Sequence, residues 1–309
     1  MAEINYNEKT IMKNGFPKIK KLGAVSPYGE TTPFVWKGKL MRTEMLYIEG
    51  DNRKDCQGVG IRDVESGKIL SQVGKDSYFH AAYVENDTLY ITAVDKKERG
   101  VIRMYESTDL IHWTNRPLFN NKGWVYYNTA LTKGPDGYVL LMEASHPKEY
   151  VGAYPFTFFF ATSPDLVNWT FMDYDLGFSK ERYMGGPWMK YSEGYYYVIA
   201  VTELPCKRYT NYIYRTKDFR DWEVGLYNPL LMPDDEDRKI SPRAVDMDEE
   251  FLEKIKTAFN INNSDVDMCD WNGKTYICYG TGNQMGTSGW LAEAEYDGTV
   301  AEFLKANFE

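Results

Sequence analysis

A seven-residue motif that occurs three times is the feature of this sequence that most restricts its fold. The copies read S/T-x-D-L/F-x-x-W at residues 107–113, 163–169 and 216–222, so they recur about every 55 residues. The Ser or Thr and the Asp can accept hydrogen bonds from nearby backbone N–H groups and close a turn, beneath which the apolar residue and the Trp pack. One turn repeated at this spacing is typical of the blades of a β-propeller.

A β-hairpin pattern precedes each motif and also occurs twice without it. The five predicted hairpins are 32–36 with 39–47, 79–85 with 88–94, 127–133 with 138–144, 187–191 with 195–202, and 266–271 with 274–279. We therefore predict an all-β fold, a five-bladed β-propeller forming one domain over residues 1–309, with residues 291–296 in the outer strands of the last blade. Apolar residues at helical spacing predict a short helical insertion at about 246–260, between blades four and five.

Charge and composition exclude several functions. The net charge of -9 and the pI near 5.1 indicate a surface that repels phosphate backbones and anionic lipid, so we expect neither nucleic-acid nor membrane partners. The first 20 residues carry no hydrophobic signal segment, so we expect a cytoplasmic protein unless a signal was removed. The four cysteines are scattered without metal-ligand spacing, so we predict no metal and no cofactor. Nothing in the sequence indicates an oligomeric state.

The propeller topology indicates which residues meet over the central axis. The innermost strand of each blade starts on the face where the second strand ends, so both line a pocket there. The predicted first-strand starts are Thr32, His80, Asn128, Gly186, and Asp265 with Asp267. The predicted second-strand ends include Glu44, Glu143, Glu203 and Gln284.

The glutamates at the second-strand ends are the main candidates for chemistry. Glu44 and Glu143 each lie six residues after a turn glycine, Gly38 and Gly137, which makes them equivalent in the repeat. Glu143 and Glu203 each end an apolar strand, where a carboxylate needs a partner or a cleft. We expect all three to converge on the pocket face.

Residues 31–308 resemble the five-bladed glycoside hydrolases around family 43. The resemblance rests on the blade pattern, the three motifs, Gly185-Gly186-Pro187 at the start of blade four, and residues 279–284 in blade five. It implies a glycosidase that acts on a carbohydrate substrate through carboxylic acids. The family usually places these acids at the start of blade one, at the start of a middle blade and before Gly-Pro in blade four. Those positions hold Thr32, Asn128 and Gly185 here.

We therefore expect that the acids have moved to the second strands. Glu143 and Glu203 would face each other across the pocket as an acid/base pair, and Asp265 is the next catalytic candidate. A carboxyl separation of about 5–5.5 Å would imply retention of configuration, and one of about 6.5–9.5 Å inversion. The predicted substrate-binding residues are Glu44, His80, Asn128, Trp188, Arg243, Asp267 and Gln284. Two alternatives stay open: a carbohydrate-binding propeller without catalysis, and a lyase or isomerase that uses His80 with a Tyr.

Overall fold

The computed structural model describes residues 17–46, 56–176, 180, 182–283 and 288–309. They form five four-stranded antiparallel sheets. The innermost strand of each sheet contacts the innermost strand of the next, and the fifth contacts the first, so the sheets are the blades of a closed ring. The predicted five-bladed β-propeller is confirmed.

The blades follow one another along the chain. Blade one contains β2 (Pro33–Trp36), β3 (Lys39–Met45), β4 (Val59–Asp63) and β5 (Ile69–Val73). Blade two contains β6 (Ser77–Glu85), β7 (Thr88–Asp95), β8 (Val101–Ser107) and β9 (Thr114–Asn120). Blade three contains β10 (Val125–Gly134), β11 (Gly137–His146), β12 (Thr157–Ser163) and β13 (Thr170–Phe171). Blade four contains β14 (Gly185–Ser192), β15 (Tyr195–Leu204), β16 (Arg208–Thr216) and β17 (Trp222–Val224). Every predicted hairpin is present, although Tyr47, predicted at the end of β3, lies outside the described residues.

Blade five is assembled from both ends of the chain. Its strands run in the order β18 (Asn262–Trp271), β19 (Lys274–Asn283), β20 (Ser288–Tyr296) and β1 (Lys20–Ser26). β1 pairs antiparallel with β20, with Ala24 opposite Ala292. The predicted outer strand at 291–296 is therefore the third strand of this blade, and β1 supplies the fourth.

The repeated motif forms the predicted turn between the third and fourth strands of blades two, three and four. In the first copy, Ser107 Oγ accepts a hydrogen bond from the N–H of Leu110 at 2.9 Å, and Asp109 Oδ1 accepts one from the N–H of His112 at 2.8 Å. Trp113 Nε1 donates to the Leu110 carbonyl at 3.3 Å. Hydrogen bonds from the residue three positions later hold the pKa of each motif Asp below its usual value, at about 2 for Asp165.

The described residues form three α-helices: α1 (Lys148–Val151), α2 (Glu249–Thr257) and α3 (Val300–Ala306). α2 is the helix predicted between blades four and five, and it begins after Asp248, whose side chain accepts a hydrogen bond from the N–H of Phe251 at 2.8 Å. Its Ile255 packs into the apolar layer between those blades, as do Phe303 and Leu304 of α3, which the sequence analysis did not predict. No helix in the described part of the chain is long and apolar enough to cross a membrane.

Candidate active site

The starts of all five innermost strands line one pocket on the propeller axis. Its walls consist of Glu30, Thr31, His80, Asn128, Thr129, Gly186, Pro187, Asp265 and Asp267. The empty space of the pocket, counted with its open mouth, is about 260 Å³. Seven of these nine lining residues are polar or charged.

A β-bulge repeated in four blades creates this wall. In each of blades two to five, two residues of the innermost strand lie opposite one residue of the second strand. The flanking residues are Tyr78 and Ala81 in β6, Tyr126 and Thr129 in β10, Gly185 and Trp188 in β14, and Ser264 and Asp267 in β18. The bulged residues include His80, Asn128, Gly186 and Asp265. A bulge bends its strand and redirects a side chain, here towards the axis.

Glu143 reaches the pocket wall from the second strand of blade three. It lies on β11 opposite the bulge of β10, between Met142 and Ala144. Its side chain is buried, and Oε2 accepts hydrogen bonds from Asn128 Nδ2 at 3.1 Å and from the N–H of Gly186 at 2.9 Å. The carboxylate therefore bridges the bulges of blades three and four.

Gly186 separates Glu143 from a second carboxylate, that of Asp265. Gly186 and Asp265 both have a left-handed backbone, each with φ of 49°. A Cβ on Gly186 would lie 2.2 Å from Asp265 Oδ1, so only glycine fits between them. The Gly186 N–H lies 2.9 Å from Glu143 Oε2, and the Cβ position of Gly186 lies 2.2 Å from Asp265 Oδ1. Adding the bond lengths of Gly186 places the two carboxylate oxygens no more than about 8 Å apart.

The protonation of the pocket side chains is set by their burial. Burial raises the pKa of the Asp267 carboxyl well above its usual value, the nearby Thr32 hydroxyl lowers it, and the charge of Asp265 raises it further. The Thr32 hydroxyl nevertheless makes no hydrogen bond of ordinary length and angle. Burial also lowers the pKa of His80 to about 3, so its ring is neutral near pH 7. Asp267 thus tends to hold its proton, while His80 does not gain one.

His80 also brings unused hydrogen-bonding capacity to the pocket. The side chain is 5% exposed, and neither ring nitrogen has a hydrogen-bond partner among the described residues. A neutral imidazole offers one donor and one acceptor. Buried polar groups are normally paired, so this ring is available to a bound molecule.

The structure does not bring Glu203 to the pocket. Its carboxylate forms an ion pair with Lys207 at 2.8 Å, and a quarter of its side chain is exposed. Val201 pairs with Gly185 at the edge of the blade-four bulge, and Glu203 lies two residues further along β15. Glu203 is therefore not opposite the bulge, where a second-strand side chain can approach the axis. The expectation that Glu143 and Glu203 face each other across the pocket is wrong.

Glu44 points away from the pocket wall. It is fully buried, with Arg42 Nε bound to Oε1 at 2.7 Å and Arg62 Nε bound to Oε2 at 2.8 Å. Gly38 is a loop residue between Trp36 and Lys39, whereas Gly137 already belongs to its strand. Counting from these glycines therefore shifted the register by one residue, and a shift of one residue turns a side chain to the opposite face of a sheet. Glu44 instead pairs with two buried arginines of its own blade, Arg42 and Arg62.

Three other predicted binding residues have different positions. Trp188 is buried in the apolar layer between blades four and five, so it cannot stack on a ligand in the pocket. Arg243 Nε contacts both carboxylate oxygens of buried Glu293 at 3.1 Å, which accounts for its charge. Gln284 lies outside the described residues. His80, Asn128, Asp265 and Asp267 lie together in the pocket as expected.

Glu30 is the pocket carboxylate that the sequence analysis missed. It precedes β2 and has a left-handed φ of 50°. The available signal was an acidic residue between a glycine and Thr31-Thr32-Pro33, just before the first predicted strand. Among the described residues, no group of three or more His, Cys, Asp or Glu side chains is placed to hold a metal ion.

Comparison with known proteins shows similarity in structure and none in sequence. No family model matches the chain, and no curated protein matches its sequence. The BT0996 protein, solved in a complex with RGII, superposes with a TM-score of 0.60 at 12% identity, over 94% of this chain and 95% of that one.

Two further solved structures have the same fold. A thermostable family-43 glycoside hydrolase has a TM-score of 0.57 at 12% identity, over 88% of this chain and 90% of its own. The GH32 beta-fructofuranosidase BmSUC1 of Bombyx mori has a TM-score of 0.55 at 12% identity, over 93% of this chain and 64% of its own. The chain therefore has the five-bladed propeller fold found in glycoside hydrolases of families 43 and 32.

Proposed function

We propose that this protein is a glycoside hydrolase that removes a terminal sugar from an oligosaccharide or glycoside by carboxylate acid/base catalysis. One observation carries the proposal: carboxylates of blades three and five lie beside the positions where family 43 keeps its acids. Glu143 of blade three bonds to Asn128, and its Oε1 would lie 3.3 Å from a Cβ on Gly185. Asp267 of blade five lies close enough to Thr32 for the hydroxyl to lower its pKa.

The two sides of the pocket have different chemical roles in this proposal. Asp265 and Asp267 act as a coupled pair that retains one proton, because the pKa of Asp267 is raised and the two groups repel when both are charged. A carboxyl group protonated near neutral pH can protonate the leaving oxygen of a glycoside. Glu143, oriented by Gly186 and Asn128, is the second carboxylate and acts as a base on water or as a nucleophile.

The polar lining of the pocket suits the hydroxyl groups of a sugar. The unpaired donor and acceptor of His80 can bind two sugar hydroxyls. The fold shared with glycoside hydrolases makes a sugar substrate the first choice to test.

Three matched variants test the proposal on a panel of aryl glycosides and oligosaccharides. Glu143→Gln and Asp265→Asn should each reduce kcat at least about 100-fold on a substrate that the wild type cleaves, because acid/base groups contribute roughly that much or more. Glu203→Gln is the control, because this glutamate forms an ion pair with Lys207 outside the pocket. It should keep wild-type activity.

Two results would contradict the proposal. Full turnover by Glu143→Gln and Asp265→Asn would remove both carboxylates from the mechanism. A wild-type protein that binds sugars but cleaves no member of the panel would indicate a carbohydrate-binding propeller without catalysis.

A further inference from the structure

Arg99 lies on the face of the propeller that carries the axial pocket, and it has no acidic partner among the described residues. It belongs to the loop between β7 and β8, on the face where second strands end and innermost strands begin. Its Nη2 donates to the Tyr126 carbonyl at 2.6 Å, and its own carbonyl accepts from the Tyr126 N–H at 3.0 Å. Tyr126 is two residues from Asn128, so the guanidinium is fixed beside the pocket wall.

Three aromatic rings hold this guanidinium in place. Arg99 Cζ lies 4.2 Å from the ring centre of Tyr127, 5.0 Å from that of Tyr78 and 5.5 Å from that of Phe79. It forms no ion pair with any described carboxylate, and its Nε is buried without a hydrogen-bond partner. A planar guanidinium with unused donors matches the two oxygens of a carboxylate.

Arg215 is a second arginine that stacks on aromatic rings, and it also has a carboxylate partner. Its Cζ lies 4.1 Å from the ring centre of Tyr195 and 4.5 Å from that of Phe308. Unlike Arg99, it also forms an ion pair with Glu223, at 2.7 Å. Stacking on rings therefore does not replace a carboxylate partner in this structure.

A row of aromatic side chains leads from Arg99 past the start of β14. We call Tyr127, Phe156, Tyr183 and Tyr209 the aromatic arc; neighbouring ring centres are 4.7, 5.3 and 5.4 Å apart. Tyr183 passes beside the active-site candidates, because its Oη would lie 3.3 Å from a Cβ on Gly185. Tyr209 is buried, whereas the other three rings are half-buried, and half-buried aromatic faces suit the apolar faces of sugar rings. The arc therefore offers a surface for sugars that extend out of the pocket.

The charges around the pocket decide where an acidic sugar can bind. Glu30, Asp265 and Asp267 line the interior and Glu143 lies in its wall, so an anionic sugar inside would be repelled. We propose that Arg99 binds the carboxylate of a uronic acid residue in the leaving group, which rests on the aromatic arc while a neutral terminal sugar occupies the pocket. This inference rests on the proposed hydrolase function and specifies its substrate class.

Binding of galacturonic and glucuronic acid, each compared with its neutral methyl ester, tests the inference by NMR titration. The wild type should bind the acids roughly ten- to a hundredfold more tightly, the usual effect of one charge-assisted hydrogen bond. Arg99→Ala should abolish the preference. Arg99→Gln should abolish it too, while its amide can still donate to the Tyr126 carbonyl and preserve the loop. Arg215→Ala is the control and should keep the preference.

The outcomes separate this inference from the proposed function. Equal binding of acid and ester by the wild type, absence of binding, or a preference that survives Arg99→Gln would overturn the role of Arg99. A wild type that cleaves neutral aryl glycosides but lacks the preference would refute only this inference. A protein that shows the preference and cleaves no glycoside would refute only the hydrolase.

Discussion

A methyl group added at Gly186 tests the geometry of the candidate site directly. In Gly186→Ala the new Cβ would lie 2.2 Å from Asp265 Oδ1 and 2.8 Å from Val201 Cγ2, whereas ordinary contacts begin at 3.4 Å. The Asp265 carboxylate must therefore move by about 1 Å, a displacement that reduces catalysis about 100-fold in well-positioned sites. The left-handed backbone adds a loss of about 1–2 kcal/mol of unfolding free energy for a residue with a Cβ.

The measurement combines kcat/KM on the best aryl glycoside with urea unfolding. Gly194→Ala is the matched control: this glycine lies in the β14–β15 turn of the same blade with φ of 87°, and a Cβ there meets nothing within 4 Å. It should lose a similar amount of stability and keep full activity. Wild-type kcat/KM in Gly186→Ala would show that the Asp265 carboxylate need not lie where it does. Equal losses of activity in both variants would assign the effect to the backbone.

Three further predictions concern ionised side chains. Because the pKa of Asp267 is raised, the folded state holds this proton more tightly than the unfolded chain; its contribution to stability is complete below the ordinary carboxyl range and declines as pH rises through the raised pKa. Asp267→Asn should remove that decline in urea unfolding from about pH 4 to about pH 8, and an unchanged slope would contradict the assignment. Glu44→Gln leaves buried Arg42 without its carboxylate and Arg62 with only Asp246, so it should lower the unfolding free energy by about 3–5 kcal/mol without changing sugar affinity, whereas a stability near wild type would refute its structural role. The pKa of Asp165 is about 2 in the folded state, so its charged carboxylate stabilises the fold at pH values above the usual carboxyl range. This contribution is lost as the pH falls towards 2. Asp165→Ala should therefore be less stable at neutral pH and lose less stability on acidification, as thermal unfolding at several pH values would show.

The fold could be predicted because its signals are local. Each hairpin and each motif turn is contained in a few consecutive residues, and the hydrogen bonds of Ser107 and Asp109 span no more than three positions. The closure of the ring could not be predicted in the same way. β1 and β20 lie at opposite ends of the chain, and no short sequence pattern records their pairing.

The site was predictable only where the repeat also fixed the side-chain direction. His80, Asn128 and Asp265 were placed correctly because the innermost strand borders the axis in every blade. Second strands lie about 4.8 Å further from the axis, so their side chains reach the pocket only where the innermost strand has a bulge. Glu143 lies opposite the bulge of blade three, whereas Glu203 lies beyond the bulge of blade four. The turn glycine lies one residue before the second strand in blade one and at its first residue in blade three, and so the Glu44 prediction failed.

The bulges described above also bear on how such a protein can change its specificity. Ladder hydrogen bonds and apolar layers fix most positions of a blade, and substitutions there reduce stability. His80, Asn128 and Asp265 occupy extra residues that the ladder passes over, so they can be exchanged with less effect on the sheet. Three such positions around one axis would let new substrate preferences evolve one residue at a time on an unchanged scaffold. Sequence similarity among these propellers should therefore fade fastest at the residues that contact the ligand.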